Sequence, residues 1–406
     1  MDQYVIVQAS SMSWSGAPDM CMNEVDGVPV VWRTVGKVLA EIDASRVILA
    51  APSADASGAF AEAAARFPAG RVATCFGHDE SPLARMVAAT AALDGGAQVL
   101  RVDGLHMFFD VAASREMLRV ASAGSLDCVK LPDDFPAQFT ADVYRVGALR
   151  QAEAMLPAGA GGDIFRIHPK FFLFQHPESF RCRYLPDPPR YDEATLRRAR
   201  ETARQIYREP RQEVNGRRTW SADQIGYHYE IALRHLAPGM KVLDLACGAG
   251  HGVRAIARSV REAHGGDVDA GTIAEARAAT TDRNVFYHVV DGTATGFDEG
   301  AFDAVLSMET IEHVDDEERF VAELHRVLAP GGVLVLSTPQ NSQGHIPITY
   351  MHEREYSLEQ ITALIGRHFT IAETIGLKQG LVSVPGDPRG QNTVIVARKA
   401  SRETSV

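Results

Sequence analysis

The stretch KVLDLACGAGHG, residues 241–252, runs from a mostly apolar segment, interrupted by Asp244, into three glycines at alternate positions, Gly248, Gly250 and Gly252. An apolar run without polar alternation suits a strand covered on both faces, as in a parallel sheet. Glycines at its end permit a tight turn and bring a ligand close to the backbone at the sheet's carboxyl edge. The surrounding segments keep the same rhythm. The helical pattern QIGYHYEIALRHL precedes the stretch and GVRAIARSVREA follows it, and then come the strands GGDVD, VFYHVVDG, FDAVLSM and GGVLVLSTP. FTIAETIGL and NTVIVARK read as an antiparallel pair closing the sheet. Such a segment has the size of one α/β domain, about 180 residues.

The first half of the chain repeats the alternation independently. YVIVQAS, RVILAAPS, RVATCFG and AQVLRVDG are strand-like, and VVWRTVGKVLAEI, SGAFAEAAARF and SPLARMVAATAAL are helix-like between them. The pattern turns irregular after LPDDFPAQFTADVYRV, and a polar, Pro-rich, then basic connector lies at about 185–225, containing the helical YDEATLRRARETARQIYREP. The expectation is two doubly wound α/β domains, 1–210 and 211–406. Across 406 residues the formal net charge is -11, which disfavours nucleic acid as a partner because phosphate recognition needs a basic face. Five scattered cysteines without a CxxC pair suit a reducing compartment. The N-terminus lacks the basic region of a signal peptide and no apolar run spans a bilayer, so a cytoplasmic protein without a membrane span is expected.

Three carboxylates sharpen the reading of the glycine loop. Asp244 lies within the first strand, Asp267 ends the second, and Asp291 ends the third. A carboxylate at the end of the second strand is placed to accept hydrogen bonds from ribose hydroxyls, and the third is placed for an adenine amino group. The dinucleotide fingerprint GxGxxG is broken by His251-Gly252, and acidic groups stand where pyrophosphate would need amides and cations. The expected ligand is a nucleoside with a cationic or zwitterionic tail.

These residues resemble the class I S-adenosylmethionine-dependent methyltransferases. VLDLACGAGHG is similar to their first motif and GGDVD to the acidic end of strand two. DGTATGFDEGAFDAVLSMETIEHV is similar to the third and fourth motifs, and VLAPGGVLVLSTPQN to the late strand motif. The resemblance implies a Rossmann-like fold over about 225–400 that binds S-adenosylmethionine. It assigns Asp244 and the Gly248–Gly250 loop to the methionine end, Asp267 to the ribose, Asp291 to the adenine and Met308 to a place beside the cofactor, and it adds Ala246, Val268 and Gly292 to the cofactor-binding residues.

SMETIEHV, 307–314, follows an apolar strand and opens what reads as a helix, which would put Glu309, Glu312 and His313 on one side of a turn. The E-x-x-E-H spelling resembles ubiquinone-pathway and small-RNA O-methyltransferases, in which it is associated with a divalent cation. Three readings stay open: Glu309, Glu312 and His313 holding Mg²⁺ or Mn²⁺, with His345 or His352 completing the set; His313 as a metal-free base; or a structural turn. YMHEREYSLEQI resembles a segment of sugar-modification methyltransferases. It implies His352, Arg354 and Tyr356 as acceptor contacts; the alternative is that Glu355 and Tyr356 only begin a helix capped by Ser357.

Residues 1–210 are similar to cytidylyltransferases of the spore-coat-polysaccharide and acylneuraminate group, through VIVQAS, VDGVPVVWRTVGKVL, VLRVDG, FPAQFTADVYRVGAL and IHPKFFLFQHPESFRCRYL. The resemblance implies a nucleotidyltransferase-like (GT-A-like) fold, but the catalytic tools are missing. The loop QASSMSWSGAPDMCM has no Arg or Lys for triphosphate. The metal-binding Asp position falls on Leu105, with Asp103 nearby, and the later carboxylate pair reads Thr140-Ala141-Asp142. The expectation is an O-methyltransferase acting on a sugar or nucleotide-sugar of bacterial surface-glycan biosynthesis, with a degenerate domain that positions substrate. A bifunctional enzyme, a scaffold, an N-methylating enzyme and a homo-oligomer stay compatible with the sequence.

Overall fold

In the computed structural model the described residues are 4–12, 19–42, 46–58, 60, 62, 67–68, 70–157, 164–206, 222–347, 352–378, 382–383 and 386–401. Most of the predicted helix SGAFAEAAARF, part of the loop after the first strand and the centre of the connector lie outside them. The chain folds as two compact units, Met1–Arg208 and Glu209–Val406.

Among the described residues the main sheet of the first unit has seven strands: β1 Tyr4–Gln8, β2 Arg46–Ala51, β3 Val72–Phe76, β4 Gln98–Asp103, β5 Cys128–Lys130, β6 Asp142–Arg145 and β7 Cys182–Tyr184. Their order is β3-β2-β1-β4-β6-β5-β7. The pairings among β3, β2, β1 and β4 are parallel, but β6 runs antiparallel to both β4 and β5, so the sheet is mixed. Helices α1 Val30–Glu41, α2 Pro82–Ala89, α3 Val111–Gly124 and α4 Val146–Met155 cover it, and α5 Glu193–Ile206 follows. Leu83, Met86, Val99, Tyr144, Leu149 and Phe172 share one core.

Among the described residues the second unit has eight strands: β8 Lys241–Leu245, β9 Glu262–Asp267, β10 Val285–Val289, β11 Phe302–Met308, β12 Leu328–Pro339, β13 Thr370–Lys378, β14 Val382–Ser383 and β15 Asn392–Arg398. The order β10-β9-β8-β11-β12-β15-β13-β14 places the switch point at β8, which pairs in parallel with β9 on one side and β11 on the other. The closing strands β15 and β13 are antiparallel, as the sequence predicts. Helices α6 Ala222–Leu233, α7 His251–Ile256 and α8 Ala270–Ala278 pack on one face, over Leu306, Met308, Val335 and Val394. Helices α9 Glu317–Val327 and α10 Leu358–Gly366 pack on the other, over Val305, Leu334, Leu336 and Ile395. Side chains alternate between faces along a strand, so β11, β12 and β15 each feed both cores. Each such aliphatic side chain contributes about 1.5–3 kcal/mol on burial.

Two local expectations are corrected. The helix read into GVRAIARSVREA ends early: α7 stops at Ile256, a 3₁₀ turn spans Ala257–Ser259, and Glu262 already begins β9. The strand prevails because Gly265 and Gly266 leave room for neighbours; a Cβ on Gly265 would meet Tyr287 at 2.7 Å and Cys247 Sγ at 2.8 Å. SMETIEHV is not an α-helical turn either. Glu309 takes a left-handed φ of 50°, and only Ile311–His313 form a 3₁₀ turn.

Candidate active site

The carboxyl ends of β8 and β9 carry the glycine loop. Ala246, Gly248 and Gly250 take φ values of 65°, 50° and 74°, so the chain turns left-handed at every second residue. The backbone N–H groups of Ala246 and Cys247 donate to the Gly266 carbonyl, at 2.7 and 3.0 Å. The three glycines differ in what they serve. A Cβ on Gly248 would meet nothing within 4 Å, so this position faces open space. A Cβ on Gly250 would lie 2.3 Å from Tyr287 Oη, and one on Gly252 1.9 Å from Tyr229 Cζ. Two of the three glycines therefore have packing reasons of their own.

Asp244 is buried and accepts from the Tyr229 hydroxyl at 2.8 Å through Oδ2, while its Oδ1 is buried without a partner. Burial pushes its pKa up to about 7, with the Tyr229 hydrogen bond opposing and Asp267 adding to the rise. A buried carboxylate with an orphaned oxygen fits a cationic ligand group. Asp267 Oδ2 accepts from Gly248 N–H at 2.9 Å, and its Oδ1 from Asp269 N–H at 3.0 Å, which fixes the carboxylate at the loop. Val268 beside it is 73% exposed, an apolar side chain in the open at a sheet edge. Asp291 is exposed at the end of the third strand, its Oδ1 accepting from Thr293 N–H and Oγ1–H, both at 2.8 Å. Those bonds hold its pKa below the usual carboxylate value. Gly292 lies against Phe320, and Met308 is buried at the end of β11.

Beyond β11 the structure separates the residues that the sequence places together. Glu309 points to the α6 face, where Asn392 Nδ2 donates to its Oε2 at 2.5 Å and His228 Nδ1 lies 3.8 Å from Oε1. Glu312 is buried on the opposite face and accepts from Thr338 Oγ1 at 3.0 Å. Burial and the Glu309 charge hold its carboxyl well above the usual range. His313 Nε2 is 3.9 Å from Glu312 Oε1, and the His313 and His352 rings meet edge to face at 5.1 Å. One ligand atom each of Glu312, His313 and His352 lies within 4.8 Å of the others. Glu309 is not in this group; the left-handed turn takes it elsewhere, and His352 stands in the set instead. His345 contacts Gln360 at 3.0 Å and is not in the group.

His352 Nδ1 contacts Glu355 Oε1 at 2.8 Å, so the neutral ring donates from Nδ1 and is basic at Nε2. Arg354 ties to Glu317 and to the Asp315 carbonyl at the start of α9. Tyr356 is buried at 2% exposure, bridging to Gln340, and Ser357 with Gln360 forms a capping box on α10. Sequence reasoning missed His228. A histidine inside the apolar run of QIGYHYEIAL was the available signal.

In the first unit the carboxylates that resemble a metal pair are neutralised by the chain itself. Asp103 pairs with Arg101 at 2.7 Å, and Asp142 lies 3.2 Å from Lys170 and 3.6 Å from Arg101. A separate cavity of about 550 Å³ is lined by Lys37, Arg115, Phe139, Tyr191 and Arg198 among others, with Phe139 and Tyr191 stacked at 4.6 Å.

Residues 243–336 match a family model described as a methyltransferase domain. A probable S-adenosylmethionine-dependent methyltransferase of Mycolicibacterium smegmatis is 32% identical over 41% of this chain and 66% of its own. Another from Mycobacterium tuberculosis is 31% identical over 34% of this chain and 52% of its own. A ubiquinone biosynthesis O-methyltransferase of Mesorhizobium japonicum is 33% identical over 30% of this chain and 51% of its own. The chain spans about half to two thirds of the length of these relatives. No helix among the described residues is long and apolar enough to cross a membrane. The C-terminal unit carries a class I S-adenosylmethionine-dependent methyltransferase domain.

Proposed function

We propose that the protein transfers a methyl group from S-adenosylmethionine to a hydroxyl of a sugar or nucleotide-sugar. The observation that carries this reading is the convergence of Glu312, His313 and His352 within 4.8 Å, beyond the strand that neighbours the glycine-loop strand β8. Asp267 receives the ribose hydroxyls, Val268 and Gly292 flank the base, and Asp291 accepts from its amino group. The orphaned oxygen of Asp244 and the open backbone at Gly248 hold the zwitterionic end, beside Met308. S-adenosylmethionine supplies an electrophilic methyl on sulfur; the C–S bond breaks as the C–O bond to the acceptor forms.

The hydroxyl proton goes to His313, which is partly exposed beside Glu312 with the His352 ring edge to face against it. Most of the remaining barrier is positioning. A second reading rests on the same trio: two imidazoles and one carboxylate fit a divalent cation, and this donor set suits Mn²⁺ better than Mg²⁺. A cation bound there would lower the pKa of the acceptor hydroxyl.

In the first unit, internal cations stand where a metal would be needed, which supports a degenerate cytidylyltransferase-like domain without its own turnover. The stacked Phe139–Tyr191 pair with Lys37 and Arg115 suits a sugar ring and a phosphate, which supports substrate positioning in surface-glycan synthesis. The test is incubation of the full chain with methyl-labelled donor and UDP-glucose, GDP-mannose and CMP-N-acetylneuraminate, with and without EDTA. Methyl ether formation on a sugar is expected; label on no member of the panel overturns the reading.

A further inference from the structure

The β11–β12–β15 edge carries polar clusters on both faces, and the one on the α6 face takes no part in the mechanism above. It consists of His228 at 1% exposure, Ser337 at 0%, Asn392 at 7%, and Glu309. Glu309 N–H donates to Ser337 Oγ at 3.1 Å, and Ser337 Oγ lies 3.2 Å from His228 Nδ1. The serine hydroxyl has one proton to donate, and His228 Nδ1 is its hydrogen-bonding neighbour. With Ser337 donating to Nδ1, one of the two directions this contact permits, the ring hydrogen sits on Nε2. His228 Nε2 is buried without a partner, and so is Glu309 Oε1.

A buried polar atom left without a partner is costly. The left-handed backbone that turns Glu309 inward adds to that cost. The fold therefore leaves His228 Nε2 and Glu309 Oε1 unpartnered on one face of the sheet, with His228 Nδ1 3.8 Å from that same Oε1. A carboxylate ligand would face Glu309 as a like charge, and an ammonium would face the His228 N–H. A hydroxyl accepts from one and donates to the other.

We propose that His228 and Glu309 form a hydroxyl-recognition subsite, where Nε2–H donates to an alcohol oxygen of the acceptor and Glu309 Oε1 accepts that alcohol's hydrogen. Asn392 and Ser337 hold the two side chains in place. The inference rests on the methyl-transfer reading and narrows its substrate. The reacting oxygen is activated from the Glu312 face, so the hydroxyl held here is a second, unreacting one. The acceptor is then a polyol, and a mono-alcohol lacking that second group is a poor substrate.

The test is calorimetric titration of the full chain, saturated with S-adenosylhomocysteine, with each of the three nucleotide-sugars named above. Wild type binds at least one of them. His228→Ala weakens that binding by about tenfold, the loss of one hydrogen bond in a closed site, and leaves S-adenosylhomocysteine affinity unchanged. His228→Gln, which restores an N–H donor near Nε2, recovers most of the affinity and guards against misfolding of the alanine variant. Sugar binding that ignores His228→Ala overturns the subsite, as does failure of all three sugars to bind. A matching loss of S-adenosylhomocysteine affinity also overturns it, and returns the cluster to the donor's amino-acid end. Sugar binding lost in His228→Ala but with no methyl ether formed by wild type supports the subsite while refuting methyl transfer.

Discussion

The Tyr229 hydroxyl donates to Asp244 Oδ2 at 2.8 Å, and the ring behind it fills the space that a Cβ on Gly252 would need. One side chain of α6 thereby favours the ionised form of the Asp244 carboxylate and dictates the last glycine of the loop.

Asp244 makes stability depend on pH in a definite direction. Its folded pKa, about 7, is raised from 3.8, so its contribution is complete below about pH 4 and is lost as pH rises through 7. Relative to Asp244→Asn, the ligand-free wild type should lose a few kcal/mol over that window in urea titrations. A constant difference between the two proteins across pH 4–8 would show that Asp244 is not held neutral.

Gly252→Ala and Gly248→Ala should fail differently. The first drives a methyl into the Tyr229 ring and should destabilise the fold by about 1–3 kcal/mol or more. The second meets open space and costs only the left-handed backbone, about 1–2 kcal/mol, yet it should weaken S-adenosylmethionine binding more than the first does per unit of lost stability. Thermal melts paired with calorimetry would separate them.

Asp267→Ala should reduce S-adenosylmethionine affinity by about 1–3 kcal/mol, because ribose hydroxyls lose their acceptor and Gly248 N–H loses its own. An unchanged dissociation constant removes Asp267 from the donor pocket.

For the Glu312 cluster, alanine at Glu312, His313 or His352 should abolish most turnover and spare donor binding. Chelation by EDTA with rescue by Mn²⁺ identifies a cation site. Indifference to EDTA, with only His313→Ala severe and a pH profile rising near the imidazole pKa, identifies a base. Loss of melting temperature in step with activity in all three variants points to a structural turn.

The first unit should release no pyrophosphate from CTP and Mg²⁺, because Asp103 and Asp142 are already paired with Arg101 and Lys170. Turnover with any acidic sugar, measured on the full chain, refutes its degeneracy.

The strands and their closing antiparallel pair were legible because apolar runs and glycine punctuation encode them locally. Glu309 was not. Its carboxylate direction depends on a positive φ that residue type does not announce, so a spacing argument grouped it with Glu312 and His313. His352 entered the cluster from a distant segment, which the sequence could offer only as one of two histidines. His228 was hidden by its place in an apolar helix, where a polar residue reads as noise until the partners from β11 and β12 are known.

Ser337 and Thr338 are neighbours on β12, yet one hydroxyl serves His228 and the other serves Glu312. A single pleat is all that partitions them. If the two clusters act as proposed, substitutions on the α6 face would alter which molecule is accepted without touching the groups that handle the proton. That separation would let the scaffold diverge in specificity while its chemistry stays put, and a one-residue slip of β12 would exchange the two hydroxyls at once.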